Sequence, residues 1–290
     1  MAMGEIVNFF TEDNLELQGF LIDCNSKVGI LHIHGINGNF YENSFLDNIG
    51  NFLEKRKVTF LSMNNRGHDY LNELAKIENS KIKTEFIGGA LERFEDCIID
   101  IKAGIKFLKE KGCKKIILQG HSSGSQKITY YQSRPTDKDV IGLILLAPAD
   151  DKNIIKKMLG KETDKIFKNV EDLVKNNKAG DYMPKGLLDL PIISAGRLYS
   201  LLSPFQIESG LFDYYGEMKE LGSIKLPILA VFGSKDMYLT MSAEKTLKIL
   251  KSKASKSKCD TAIIEDAPHN FRDYEKQLVE IIGKWLENVI

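Results

Sequence analysis

The sequence of 290 residues holds 40 basic and 40 acidic side chains, so its formal net charge is zero, with 43% hydrophobic and 28% charged residues. A chain of that length can bury a large core, and the balance excludes an intrinsically disordered polymer or a bundle of membrane spans. A molecule without an overall field gathers no polyanions, which argues against nucleic acid and for small, weakly charged partners.

No apolar run approaches the roughly 20 residues that a bilayer span requires. Acidic Glu5, Glu12 and Asp13 stand where a secretory leader would be basic, so a cytoplasmic location is expected. Cys24, Cys97, Cys113 and Cys259 are far apart and form no C-x-x-C pair. Reduced, partly buried thiols are the corresponding expectation.

Taken in order, residues 6–10 and 15–22 are β-rich runs separated by Thr11-Glu12-Asp13-Asn14, the composition of a turn, and predict an opening antiparallel hairpin. Runs over 28–34 and 58–63 are almost continuously apolar, as strands buried on both faces of a parallel sheet are. Leu91, Phe94, Ile98, Ile101, Ile105 and Leu108 step by three and four and predict an amphipathic helix. A strand over 115–119 follows, then a helix-compatible run over 126–133 that stops before Pro135, then a strand over 140–146. From 151 to 222 no convincing strand occurs, and several helix-like pieces take its place, far beyond an ordinary connection. Strands resume over 228–232 and 261–264. A final helix carries the stripe Phe271, Tyr274, Leu278, Ile281, Trp285 and Val289. Strand then helix, repeated, predicts a doubly wound α/β core over 1–150 and 223–290, with 151–222 inserted as a helical cap.

Gly120-His121-Ser122-Ser123-Gly124 lies between the strand over 115–119 and the following helix, the context of a nucleophile elbow. A serine hydroxyl is a weak nucleophile, so it must stand out of the sheet on a tight turn where a base can reach it. His34-Gly35-Ile36-Asn37-Gly38 ends another strand, where a backbone N–H is needed for a developing oxyanion. The candidate donors are Ile36 and Ser123. Asp236 closes the strand over 228–232, and His269 follows the strand over 261–264 in a loop. Ser122, Asp236, His269 is a chain order known for nucleophile, orienting acid and base.

On His34-Gly35, Asn65-Arg66-Gly67-His68, the Gly120–Gly124 elbow, Phe232-Gly233-Ser234-Lys235-Asp236 and Pro268-His269, the chain resembles the α/β-hydrolase superfamily over nearly its whole length. The resemblance implies an eight-stranded, mostly parallel sheet, with an insertion after the sixth strand. It names no substrate. Because some members take the acid from the end of the sixth strand, Asp150 stands as the alternative to Asp236. The His68 turn reads as structural, as does His121, which should point away from the reacting serine.

His32 and His34 share one strand face, but no carboxylate or cysteine cluster at ligand spacing accompanies them, and no metal is expected. Neither Gly-x-Gly-x-x-Gly after the strand over 28–34 nor a Walker-type lysine loop occurs, and no cofactor is expected. Basic and acidic residues balance across 151–222, which argues against a charged-substrate funnel. Tyr182, Tyr199, Phe205, Phe212 and Tyr214 make its later part aromatic-rich. They serve either to pack the cap or to line an apolar pocket for substrate. The expected activity is hydrolysis of a carboxylic ester of a small, uncharged or apolar substrate through an acyl-serine. The alternatives are thioester, lactone or amide hydrolysis, acyl transfer, or a non-catalytic ligand-binding relative. The sequence sets no oligomeric state.

Overall fold

The apolar runs become an eight-stranded sheet in the computed structural model, which describes residues 4–134 and 137–290. Its strands are β1 (Glu5–Phe10), β2 (Glu16–Ile22), β3 (Val28–Ile33), β4 (Thr59–Met63), β7 (Lys115–His121), β8 (Val140–Leu146), β9 (Ile228–Gly233) and β10 (Cys259–Ile264). Between β4 and β7 the chain forms a separate hairpin of β5 (Asn72–Glu78) and β6 (Lys81–Ile87).

The sheet order is β1-β2-β4-β3-β7-β8-β9-β10, antiparallel from β1 to β4 and parallel beyond. Every residue of β4 and β9 is buried, as two-sided cover demands. Helix α1 (Ser44–Lys55) brings Gly50 against Ile22 and Phe60, whereas α2 (Cys97–Glu110) brings Gly104 against Leu31 and Met63. Phe60 and Met63 lie an odd number of residues apart, so the pleat sends them to opposite faces. The last helix, α9 (Glu275–Leu286), packs beside α1 and sets Trp285 over Gly142 of β8.

Helix α3 (Ser123–Gln132) follows β7 without a linker, and α8 (Ala243–Lys253) joins β9 to β10. Pro135, placed beyond the end of α3 by sequence, lies outside the described residues. Between β8 and β9 come α4 (Asp151–Leu159), α5 (Thr163–Lys175), α6 (Ala195–Leu202) and α7 (Lys219–Ser223). Ile155, Val170, Ile193, Leu198 and Leu201 form a hydrophobic cluster of their own there. Leu211, Phe212, Tyr214, Met218 and Leu221 instead join the main core, so the later part of the segment packs as body.

Three expectations need adjustment. The hairpin β5–β6 was not among the predicted strands, although its pattern is legible: Asn79 and Ser80 both adopt positive φ (49° and 60°), as a two-residue type I′ turn requires. The helix expected from Leu91 begins with a short 3-10 turn at Phe94–Asp96 and becomes α-helical at Cys97. At the C-terminus Phe271 (φ 52°) and Asp273 (φ 70°) break the helical path, so α9 starts at Glu275, and Phe271 is a buried loop residue packed on Phe45. No helix among the described residues is long and apolar enough to cross a membrane.

Because a serine at φ 60° carries steric strain that glycine lacks, Ser80→Gly should raise stability by about 0.5–1 kcal/mol, read as a higher urea midpoint at unchanged slope.

Candidate active site

The turn from β7 into α3 places Ser122 at φ 55° and ψ −126°, a region that costs a non-glycine residue about 1–3 kcal/mol. Its N–H donates to the carbonyl of Leu146 on β8 at 2.8 Å, and its own carbonyl accepts from Ser125 N–H at 3.0 Å. The Ser125 hydroxyl donates to the Gly120 carbonyl at 2.8 Å. The two flanking glycines are needed by contact. A β-carbon on Gly120 would lie 2.4 Å from the Gly124 backbone, and one on Gly124 would lie 2.2 Å from the Ile33 carbonyl oxygen.

Ser122 opens into a cavity of about 460 Å³ that His269 and Ile36 also line. Nδ1–H of His269 donates to Asp236 Oδ2 at 2.7 Å, and the other oxygen of that carboxylate accepts from Tyr238 N–H at 2.8 Å. The Asp236 side chain is buried, and Tyr238 sets its ring edge-on to the imidazole at 4.7 Å. No hydrogen bond joins Ser122 Oγ to His269 among the described residues. In unliganded sites such bonds are commonly long and tighten with substrate in place. Ser123 opens α3, in the first turn, where helical N–H groups lack intrahelical acceptors.

Asp150 lies elsewhere. Its carboxylate caps α4, accepting from Asn153 N–H at 3.1 Å and from the Asn153 side chain, and it makes no bond to His269. His121 donates from Nε2 to the His269 carbonyl at 3.0 Å and so helps hold that loop. Burial and the neighbouring His269 ring push the His121 imidazole well below its ordinary pKa, which keeps it neutral. His34 uses both ring nitrogens, donating from Nδ1 to the Gly35 carbonyl at 2.8 Å and accepting from Asn65 N–H at 3.1 Å. His32 meets the Gln119 side chain at 2.8 Å, and burial lowers its pKa to about 3. His68 is held by Asp69 and Asn72. The neighbouring Arg66 anchors the turn on Asp100 and Asp13.

The five aromatic residues offered as pocket candidates do not line the cavity. Phe212 and Tyr214 are spent in the main core, and Tyr214 donates to the Pro148 carbonyl at 2.7 Å. Tyr199 stacks on Phe167, while Phe205 and Tyr182 are exposed. Tyr70 and Tyr238, from outside residues 151–222, line the cavity, and its apolar wall is otherwise aliphatic. Ile154, Ile155 and Met158 come from α4, Leu201 from α6, and Leu188, Leu190, Ile192 and Ile193 from the loop before α6. The sequence offered helix-like pieces here, but which of their apolar residues face the site depends on how the helices pack.

Sequence reading also passed over a buried network behind the cavity. Lys127, fully buried on α3, donates to Glu92 Oε1 at 2.5 Å and to Asn65 Oδ1 at 3.1 Å. Glu92 faces Arg197 of α6 at 3.6 Å, and Arg197 is clasped by both carboxylate oxygens of Glu208. Asp151 accepts from the Gln126 side chain at 2.7 Å, and burial with Glu208 nearby raises its pKa to about 7. Lys127 sits among Ser125, Gln126 and Thr129, so nothing in the local sequence marked it as buried.

Comparison with known proteins identifies the family and the fold. The family described as "Protein of unknown function (DUF1749)" matches residues 75–287. The chain belongs to that family. Its fold is that of the α/β-hydrolases, shared with solved structures across almost the full length. One is a siderophore hydrolase, EstB, from Aspergillus fumigatus (18% identity, TM-score 0.72, covering 100% of this chain and 99% of that one). Another is Est1E from Butyrivibrio proteoclasticus, solved with ferulic acid (15% identity, TM-score 0.68, 97% and 98%). A third is the esterase Pf2001 of Pyrococcus furiosus (18% identity, TM-score 0.62, 99% and 91%). No curated protein sequence matches the chain.

Two outcomes test the electrostatics. The folded chain holds the Asp151 proton to about pH 7, whereas an unfolded chain releases it near pH 3.9. Folding therefore takes up a proton between those values, and stability from this group falls as pH rises through that window. Asp151→Asn should gain on the original protein between pH 5 and pH 8 by on the order of 1–2 kcal/mol in urea unfolding, and an identical difference at both values would refute the shift. Lys127→Met, which leaves Glu92 only the 3.6 Å contact with Arg197, should cost about 3–5 kcal/mol in the same assay, and adding Glu92→Gln should return part of it.

Proposed function

We propose that this protein is a serine hydrolase that cleaves a carboxylic ester of a small, uncharged or apolar substrate through an acyl intermediate on Ser122. One observation carries the reading: a serine held at positive φ on a strand-to-helix turn faces the same cavity as an imidazole whose Nδ1–H is bound by a buried carboxylate. With Nδ1 carrying its proton toward Asp236, Nε2 is the nitrogen left to accept one.

In this reading Ser122 Oγ adds to the acyl carbon as its proton passes to His269 Nε2, and the carbonyl oxygen takes the charge. The N–H groups of Ile36 and Ser123 receive that oxyanion. The carbonyl re-forms, the bond from the acyl carbon to the alcohol oxygen breaks as His269 gives that oxygen its proton, and the alcohol departs, leaving the acyl group on Ser122. Water repeats the sequence, releasing the acid and restoring the serine. Asp236 keeps the imidazole in the required tautomer and stabilises its charged form. The earlier part of residues 151–222 acts as the cap, with α4 and α6 supplying an aliphatic wall for the hydrocarbon part of the substrate, while its later part packs with the body.

Ser122→Ala and His269→Ala should each lower p-nitrophenyl butyrate turnover by several orders of magnitude, and a fluorophosphonate probe should label Ser122 in the native protein. Unchanged turnover in Ser122→Ala removes that residue from the chemistry. Asp236→Asn should cost about 10⁴ in kcat. Asp150→Asn should lose far less activity and show its effect in stability, by weakening the cap of α4. The reverse order would move the acid to Asp150.

A further inference from the structure

The residues between β8 and β9 that line the cavity are aliphatic apart from two, Asp151 and Arg197, whereas Glu42, Tyr70 and Tyr238 belong to the lining contributed by the rest of the chain. Arg197 is already engaged, since Glu208 clasps it with both oxygens and Glu92 faces it at 3.6 Å. Asp151 is only half satisfied. Gln126 donates to its Oδ2 at 2.7 Å, and no donor among the described residues meets Oδ1. The cluster also holds one more carboxyl than it holds cations, with Glu92, Glu208 and Asp151 set against Lys127 and Arg197. Asp151 is half-buried and lines the cavity with its Oδ1 free of protein donors among the described residues, and a pocket that receives hydrocarbon alone has no need of such a group. In such pockets a sparse, directed polar group is what orients the ligand.

Resting on the hydrolase reading above, we propose that Asp151 is a specificity-determining residue that receives a hydroxyl on the substrate chain lying beneath α4 and α6, so that hydroxylated esters are preferred over plain ones. A hydroxyl suits the site because it both donates and accepts, and can pair with Asp151 in either protonation state. Its pKa, raised to about 7 by burial and by Glu208, means both states are populated near neutrality. An ammonium suits it less. The Arg197 guanidinium stands close by, and a full charge would have to be desolvated among Ile154, Ile155 and Met158.

The test is a panel of p-nitrophenyl ω-hydroxyalkanoates of six to nine carbons, each compared with its unsubstituted counterpart. At the best chain length the hydroxy ester should show about a tenfold higher kcat/KM, as one hydrogen bond to an ionisable group provides. Asp151→Leu and Asp151→Ala should bring that ratio to one or below, while Asp151→Asn, whose amide both donates and accepts, should keep most of it. Calorimetric binding of the corresponding methyl esters to Ser122→Ala protein should show the same preference without turnover. Absence of a preference at every length, or an unchanged ratio in Asp151→Leu, overturns the assignment. Cleavage without preference defeats the role of Asp151 and leaves the hydrolase reading standing. Preferential binding without cleavage by the unmutated protein defeats the hydrolase reading and leaves Asp151 in its role.

Discussion

The contact on which the site depends is between backbone atoms: α3 begins so close to β3 that only a glycine at 124 clears the Ile33 carbonyl, and only a glycine at 120 clears Gly124. With those two β-carbons absent, the chain turns from strand to helix in a single step and drives Ser122 to positive φ. The strain is local, and the surroundings over-determine it: Ser122 N–H is tied to β8, and Ser125 ties the turn back to Gly120. Such a turn puts a hydroxyl and the first-turn N–H groups of a helix at the same edge of the sheet, a combination suited to developing negative charge.

The parallel strands deliver the other groups to that edge. Asp236 and His269 come from the connections after β9 and β10, and their 2.7 Å bond draws the two together. His121 adds a second hold on the histidine loop by donating to its carbonyl. Behind the cavity, Lys127 of α3, Glu92 and Arg197 of α6 form one buried electrostatic chain. It links the helix that starts at the Ser122 turn to the helices between β8 and β9. Removing one member strands a charge away from water, so the two parts are coupled through a network whose pieces have little independent latitude.

Legibility of the site followed the range of the signal. The elbow, Asp236 and His269 were readable because each sits at the end of a short apolar run, where strand and turn are encoded by neighbouring residues. The sequence favoured Asp236 over Asp150 as the partner of His269 but left Asp150 open, since both follow strands, and the bond between His269 and Asp236 is what the structure shows. Asp150 is engaged instead by Asn153 as the cap of α4. The aromatic residues of 151–222 misled because aromaticity marks core as readily as pocket, and Phe212 and Tyr214 were drawn into the body.

The family resemblance added the eight-stranded sheet, while periodicity, turn composition and the Gly-x-Ser-x-Gly spacing determined by themselves the alternation of strand and helix and the places of the three polar residues along the chain. These properties are local, set by a few consecutive side chains and their backbone preferences. Only the tertiary structure decided which aliphatic residues face the cavity, that Lys127, Glu92, Arg197 and Glu208 share one buried site, and that Asp151 stands among them incompletely paired. Those facts depend on the packing of helices far apart in the chain, where desolvation and charge pairing act across space and leave no local pattern.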